Sequence, residues 1–276
     1  MIDTDPPRSP YIIHGGTPGR ERLRVLTAAV QPTTLALLDL AGIPPSARCL
    51  DVGCGGGDVT LELAARVGAD GHVIGIDRDA EAIELARDEA RAAGADVDYL
   101  VVDLLRDEIG TGFDVVFVRF VLTHLAEPER ACGRLLAAAR PGGTVIVEDV
   151  DVSGAFCDPP DPAFDRFLAI FDAAARRRGA DPDIGRRLPR LLRDAGLTDI
   201  HMRSVQPVGM RPRGSEGAAK LVMPLTAASI RAAATEEGVA SAEEIAELTV
   251  RLQELAGDPE VVMSMPRIVQ AWGTRP

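Results

Sequence analysis

Between residues 48 and 151, short β-branched runs alternate with helical patterns. This alternation constrains the fold more than any other feature, because strands joined by helices pair in parallel and need helical cover on both faces. Arg48 to Val52 reads as a first strand and Val59 to Val67 as a helix closed by Gly68. His72 to Asp77 is a second strand. A helix from Asp79 follows, with Ala80, Ile83, Ala86 and Ala90 on one face, and ends before Gly94. Val97 to Leu104 reads as a third strand and Phe113 to Phe120 as a central fourth. Pro128 opens a helix that stops at Arg140-Pro141-Gly142-Gly143, and Thr144 to Asp151 is a fifth strand. Beyond the loop Asp158-Pro159-Pro160-Asp161-Pro162, Phe164, Phe167, Leu168 and Phe171 recur at helical spacing, as a core stripe does. Ile184 to Ala195 is a helix, Asp199 to Gly209 a sixth strand, Glu216 to Ala232 and Ala242 to Ala256 are Ala-rich helices, and Val261 to Trp272 is a last extended run. The expectation is an α/β, doubly wound, mostly parallel sheet. It comprises a tail and lid over 1–34 and one domain over 35–276, customised by helical insertions at about 158–195 and 216–256.

Length and composition set limits on function. At about 150 residues per domain, 276 residues allow one elaborated domain or two small ones. No apolar run reaches the roughly 18 residues that a spanning helix needs, so no membrane partner is expected. The opening MIDTDPPRSP lacks the basic start and apolar stretch of a secretory signal, which sets the expectation of a disordered tail on a cytoplasmic protein. Thirty basic against 42 acidic residues give a formal charge of −12, which repels phosphate backbones and argues against nucleic acid. The one dense basic cluster, Arg176-Arg177-Arg178, closes a helical pattern, where cations suit the helix C-terminus. Cys49, Cys54, Cys132 and Cys157 show no C-x-x-C spacing, so free thiols are expected and no zinc site.

The chemistry gathers at strand ends. Leu50-Asp51-Val52-Gly53-Cys54-Gly55-Gly56-Gly57-Asp58 follows the first strand and precedes a helix, a place where glycines let a ligand approach main-chain N–H groups. A dinucleotide fingerprint would place its third glycine where Asp58 stands, and an acid there opposes a pyrophosphate. A ligand with an ammonium or sulfonium and no phosphate suits Asp51 and Asp58 better. Asp77 ends the second strand, where a carboxylate accepts ribose hydroxyls, and Asp103-Leu104 ends the third, where a carboxylate can accept from an exocyclic amine while leucine packs on a base.

With these residues in order, the chain resembles the class I S-adenosylmethionine-dependent methyltransferases. L-D-V-G-C-G-G-G is similar to their glycine motif, Ile76-Asp77-Arg78 to their acidic second-strand end, Val102-Asp103-Leu104 to the adenine-contact segment, and Arg140-Pro141-Gly142-Gly143-Thr144 to the turn before their fifth strand. Phe120-Val121-Leu122-Thr123-His124-Leu125 and Glu148-Asp149-Val150-Asp151 resemble the ubiquinone/menaquinone-methyltransferase-like, small-molecule branch common in bacterial natural-product pathways. The resemblance implies a seven-stranded Rossmann-like sheet with an antiparallel last strand. It implies S-adenosylmethionine as cofactor and S-adenosylhomocysteine as product. It places Asp51, Gly53, Cys54 and Gly55 around the methionine moiety, Asp77 at the ribose, Arg78 and Leu104 on the adenine faces, Asp103 at the adenine amine, and Arg119 beside the cofactor. Tyr11 to Arg24 is similar to a lid helix of this branch, in which Tyr11 and Arg22 close over cofactor and substrate.

Methyl transfer needs alignment and, for an acidic O–H or C–H, removal of a proton. His124, just past the fourth strand, is the first candidate base, with an ordinary pKa of about 6.5, although a histidine there also serves simply to pack the next helix. His14, in His14-Gly15-Gly16, is the second. Asp149 and Asp151 end the fifth strand, where solvated or helix-capping roles are expected; no complete metal-ligand set is readable. His72 and His201 read as surface. The phenylalanine stripe implies a hydrophobic or aromatic small-molecule acceptor. A homodimer through the inserted helices is compatible with the sequence, and no feature requires it. The readings left open are an NAD(P)-dependent oxidoreductase, a cofactor-binding protein without methyl transfer, and use of the cofactor's charge for another reaction.

Overall fold

The computed structural model describes residues 16–276, and side chains from residue 22 onward. Tyr11 and His14 lie outside the described residues.

Helix α1 (Gly16–Ala41) leads into β1 (Arg48–Val52), α2 (Asp58–Val67), β2 (His72–Asp77), α3 (Ala80–Ala93), β3 (Asp98–Val101), β4 (Phe113–Arg119), α4 (Pro128–Ala138) and β5 (Ala139–Asp151). Then come β6 (Cys157–Asp158), α5 (Pro162–Arg177), α6 (Leu188–Ala195), β7 (Thr198–Val205), β8 (Val208–Gly209), α7 (Gly214–Ser229), α8 (Arg231–Glu236), α9 (Ala242–Gly257), β9 (Val262–Ser264) and β10 (Arg267–Thr274). The main sheet has seven strands in the order β3-β2-β1-β4-β5-β10-β7. The first five are mutually parallel, and β10 is antiparallel to both its neighbours. This is the doubly wound, Rossmann-like architecture expected.

Period-two alternation explains why both faces are covered. Leu50, Val52, Val116, Val118, Val145 and Val147 point to a core shared with α4 and α6, while Cys49, Val73, Val115, Phe117 and Ile146 point to one shared with α1 and α2. The chain winds from β1 outward to β3 and then returns to β4 on the other side of β1. The carboxyl ends of β1 and β4 therefore form a topological switch point, the usual ligand crevice of such sheets.

Several boundaries differ from the sequence reading. Helix α1 is continuous across residues 34 and 35, because Leu37 and Leu38 pack on the sheet while Ala29 and Val30 pack on α7. The expected third strand shortens to Asp98–Val101, since Asp103 N–H turns to Asp107 Oδ2 at 2.8 Å. β5 starts at Ala139, five residues early: Gly142 N–H donates to Arg275 O and Arg275 N–H to Gly143 O, pairing the Pro-Gly-Gly turn with the C-terminus. The expected sixth strand breaks at Gln206-Pro207, where proline supplies no N–H and Gln206 Nε2 donates to Gly154 O and Met265 O. Its end, β8, joins a second sheet ordered β6-β9-β8 that the sequence did not announce. The aromatic stripe on α5 is core as expected, packed with α7, α8 and α9. Among the described residues no helix is long and apolar enough to cross a membrane, and all four cysteines are free.

Candidate active site

The turn after β1 is shaped by its glycines. Gly53 and Cys54 both donate to Ile76 O, at 2.7 and 3.0 Å, which ties the turn to β2. Gly53 has φ +70°, and a β-carbon there would collide with Val121 Cγ2. Gly55, at φ +52°, has open space where a β-carbon would stand, so its backbone is exposed to an incoming ligand. Asp77 aims at the same place: its Oδ2 accepts from Gly55 N–H at 3.0 Å and its Oδ1 from Asp79 N–H at 2.9 Å.

Carboxylates accumulate around this turn. Asp51 is buried, accepts from Thr60 Oγ1 at 2.6 Å, and is pushed up to about 6 by burial, with Asp77 and Asp58 adding to the rise. Asp58 opens α2 and accepts from Thr27 of α1 at 2.8 Å. Asp103 accepts from Leu105 N–H at 2.8 Å at the end of the third strand region. Burial raises the Cys54 thiol far above its usual range, so it stays protonated and serves as a wall, not a nucleophile.

A single cavity of about 1060 Å³ lies over these strand ends. It brings together Arg22, Gly53, Cys54, Gly55, Asp77, Arg78, Asp103, Leu104, Arg119 and His124; Asp51, expected beside the cofactor, is instead buried and does not line it, its carboxylate taken by Thr60. Its roof comes from α1, α5 and α7 through Leu26, Phe167, Leu168, Phe171, Val222 and Met223. The inserted helices thus close the crevice with an apolar chamber.

The candidate base departs from expectation. His124 ends the short 3-10 turn Leu122–His124 and lines the cavity, where burial, reinforced by the positive charges of Arg22 and Arg78, lowers its imidazole to about 3. It is therefore neutral near pH 7 and a far weaker base than its ordinary pKa promised. Its turn is clamped: Asp149 Oδ2 accepts from Thr123 N–H at 3.1 Å, and Thr123 Oγ1 donates to Asp181 O at 2.9 Å.

Asp149 and Asp151 are fully buried, not solvated. Burial pushes Asp149 up to about 7, against the backbone N–H groups of Val150 and Thr123. Asp151 is buried too, yet the Arg186 and Ser153 hydrogen bonds hold it below the ordinary carboxylate range; it is also paired with Arg267 at 3.1 Å. Both are structural clamps. Among the described residues no group of three His, Cys, Asp or Glu could hold a metal ion. Arg119 Nη1 donates to Thr34 Oγ1 at 3.2 Å, and Thr34 donates to the buried Glu148 at 2.7 Å, which fastens α1 to the sheet beside the cavity.

Residues 44–172 match the family described as methyltransferase domain. The chain is 28% identical over 170 residues to phosphoethanolamine N-methyltransferase 1 of Arabidopsis thaliana, covering 61% of this chain and 32% of that protein. It is 32% identical over 124 residues to the ubiquinone biosynthesis O-methyltransferase of Hahella chejuensis, covering 44% and 51%. The chain thus spans a third to a half of the curated relatives it matches. In fold it is similar to phosphoethanolamine N-methyltransferase 2 of Haemonchus contortus, solved with S-adenosyl-L-methionine: TM-score 0.51, 19% identity, 96% of this chain and 54% of that one.

The cavity also uses residues that the sequence reading passed over. Arg178, read as part of a solvated cluster, has a side chain only 6% exposed, lines the cavity and pairs with Glu237 at 3.0 Å. Met223 and Thr226, three apart on α7, face the same space; their spacing was a helical signal without a chemical one. His72 and His201 are exposed as expected, and His201 stacks on Trp272 at 5.3 Å.

Proposed function

We propose that this chain transfers the methyl group of S-adenosylmethionine to a small apolar or aromatic metabolite, as in natural-product methylation. One observation carries the reading: an acid-lined glycine turn and an apolar, phenylalanine-walled chamber share one cavity at the sheet's switch point. The donor set fits this cofactor. Asp77, aimed by two backbone amides, offers its remaining lone pairs to ribose hydroxyls. Leu104 and Arg78 flank a base and Asp103 accepts from its amine. The open backbone at Gly55, with Gly53 and Asp58, receives a cationic amino-acid moiety, where a pyrophosphate would meet like charge.

When bound, the cofactor supplies an electrophilic methyl on a sulfonium. The chain's own work is positioning. The turn clamped by Asp149 and Asp181 positions His124 against the cavity, α5 and α7 exclude water, and α1 covers the opening through Arg22 and Leu26. Calorimetric titration with S-adenosylmethionine, S-adenosylhomocysteine and NAD tests the reading. The expected result is binding of the first two and not of the third; binding of NAD alone would restore the oxidoreductase reading and overturn this one.

A further inference from the structure

A row of polar side chains crosses the sheet beneath α1, where the packing is otherwise apolar. Arg119 of β4, Glu148 of β5 and Gln270 of β10 stand in register on neighbouring strands, on the face that carries Phe117 and Ile146. Glu148, Gln270 and Thr34 of α1 are buried. Gln270 Nε2 donates to Glu148 Oε1 at 2.6 Å, Thr34 Oγ1 donates to Glu148 Oε2 at 2.7 Å, and Arg119 Nη1 donates to Thr34 Oγ1 at 3.2 Å. Burying such a row costs desolvation that leucine or valine would not. Of these four residues only Arg119 lines the cavity.

Arg119 stands at the right end of that cavity for one ligand group. Val118 pairs with Val52, so Arg119 is level with Gly53, the first residue of the glycine turn. Its positive charge also reaches Asp51 beneath the turn, opposing the rise that burial imposes there and on Glu148. Its one hydrogen bond among the described residues is to Thr34, which leaves the rest of its planar fork of N–H donors for the cavity. The amino-acid end of the cofactor is a zwitterion. The acids around the turn suit its ammonium and repel its carboxylate, so a guanidinium beside Gly53 supplies what they lack.

We infer that Thr34 and Glu148 are positioning residues: they hold the Arg119 guanidinium at the cavity wall, where it receives the α-carboxylate of the cofactor. This rests on the methyltransferase reading. It gives α1 a part in cofactor recognition, since Thr34 links the helix to the group that meets the ligand.

The test compares, by calorimetry on the full chain, S-adenosylhomocysteine with its decarboxylated analogue, which keeps the ammonium. The wild type should bind S-adenosylhomocysteine about 10–100-fold more tightly, the range of a charge-assisted contact. Arg119→Met should bring the two affinities together by weakening S-adenosylhomocysteine alone. Thr34→Val should lower the same ratio at least threefold while the analogue binds as before, and Thr34→Ser, which keeps the hydroxyl, should restore it. If the Val variant does not fold, Glu148→Gln replaces it, and the affinity for the analogue reports the fold of each variant. Equal binding of the two ligands by the wild type, or a ratio that survives Arg119→Met, would overturn the placement of the carboxylate. A Thr34→Val variant that keeps the ratio, or that weakens both ligands alike, would show a merely structural row and overturn the positioning role. Failure of the wild type to bind either ligand would overturn the methyltransferase reading and this inference with it.

Discussion

Asp77→Ala removes a cavity-lining carboxylate whose two oxygens are both aimed by main-chain amides, Gly55 N–H at 3.0 Å and Asp79 N–H at 2.9 Å. A carboxylate has about four acceptor positions, so two remain for ribose hydroxyls after those bonds are made. Hydrogen bonds to a charged acceptor contribute about 1.5–3 kcal/mol each, and neighbouring ones do not add fully. The expected loss is about 2–3 kcal/mol, or about 30–150-fold in Kd. Asp77→Asn, which keeps one acceptor oxygen, should lose about tenfold. Calorimetry with S-adenosylhomocysteine measures this, and adenosine separates two causes. A lost ribose contact weakens both ligands by the same factor, whereas a glycine turn freed from Asp77 weakens S-adenosylhomocysteine more. Wild-type affinity in Asp77→Ala would refute the placement of the ribose.

Further outcomes follow from single contacts. Gly53→Ala forces a β-carbon against Val121 at φ +70°; the backbone conformation alone costs about 1–2 kcal/mol, so the unfolding midpoint should fall and S-adenosylhomocysteine affinity with it. Thr34→Val strips the buried Glu148 of a 2.7 Å donor and Arg119 of an acceptor, and should cost about 1–3 kcal/mol in urea unfolding. Two buried groups give opposite pH slopes. His124, lowered in the fold to about 3, contributes stability above its unfolded value of 6.5 that is lost as pH falls through that window, so His124→Leu should flatten the acid limb of the stability curve. Asp149, raised to about 7, contributes stability at low pH that is lost as pH rises from 3.8 through 7, so Asp149→Asn should reduce that downward slope even as it weakens the clamp on Thr123. Urea midpoints measured from pH 4 to 8 check both signs.

The sheet and its ligand edge were legible because they rest on local signals. Short apolar, β-branched runs mark β1, β2 and β4, Gly68 and Gly94 mark helix ends, and the residues around Gly53 and Asp77 carry chemistry at fixed offsets from strand ends. What stayed hidden depends on distant partners. β8 leaves the main sheet only because Gln206 reaches Gly154 and Met265 across the fold. Arg178 becomes a cavity wall only because Glu237, 59 residues on, takes its charge. His124 kept its place but not its basicity: its spacing from β4 is local, while the desolvation and the charges of Arg22 and Arg78 come from α1 and the second strand's end. The extension of β5 likewise needs Arg275, at the far end of the chain.

The same distinction between local and distant signals divides the cavity's charge. The acids at Asp51, Asp58, Asp77 and Asp103 belong to the βαβ core, where each stands at a strand end or a helix start and most are held by backbone or hydroxyl donors. The buried cations Arg22 and Arg178 come from the first helix and the first insertion, outside the matched core of the sheet. The acids proposed to face the cofactor thus belong to the sheet core, whereas Arg22 and Arg178 belong to helices outside it. Changing α5 or α7 alters which acceptor fits without touching the groups proposed to hold the cofactor, which is how one sheet can serve many acceptors; α1 differs, because its Thr27 and Thr34 bond Asp58 and Arg119.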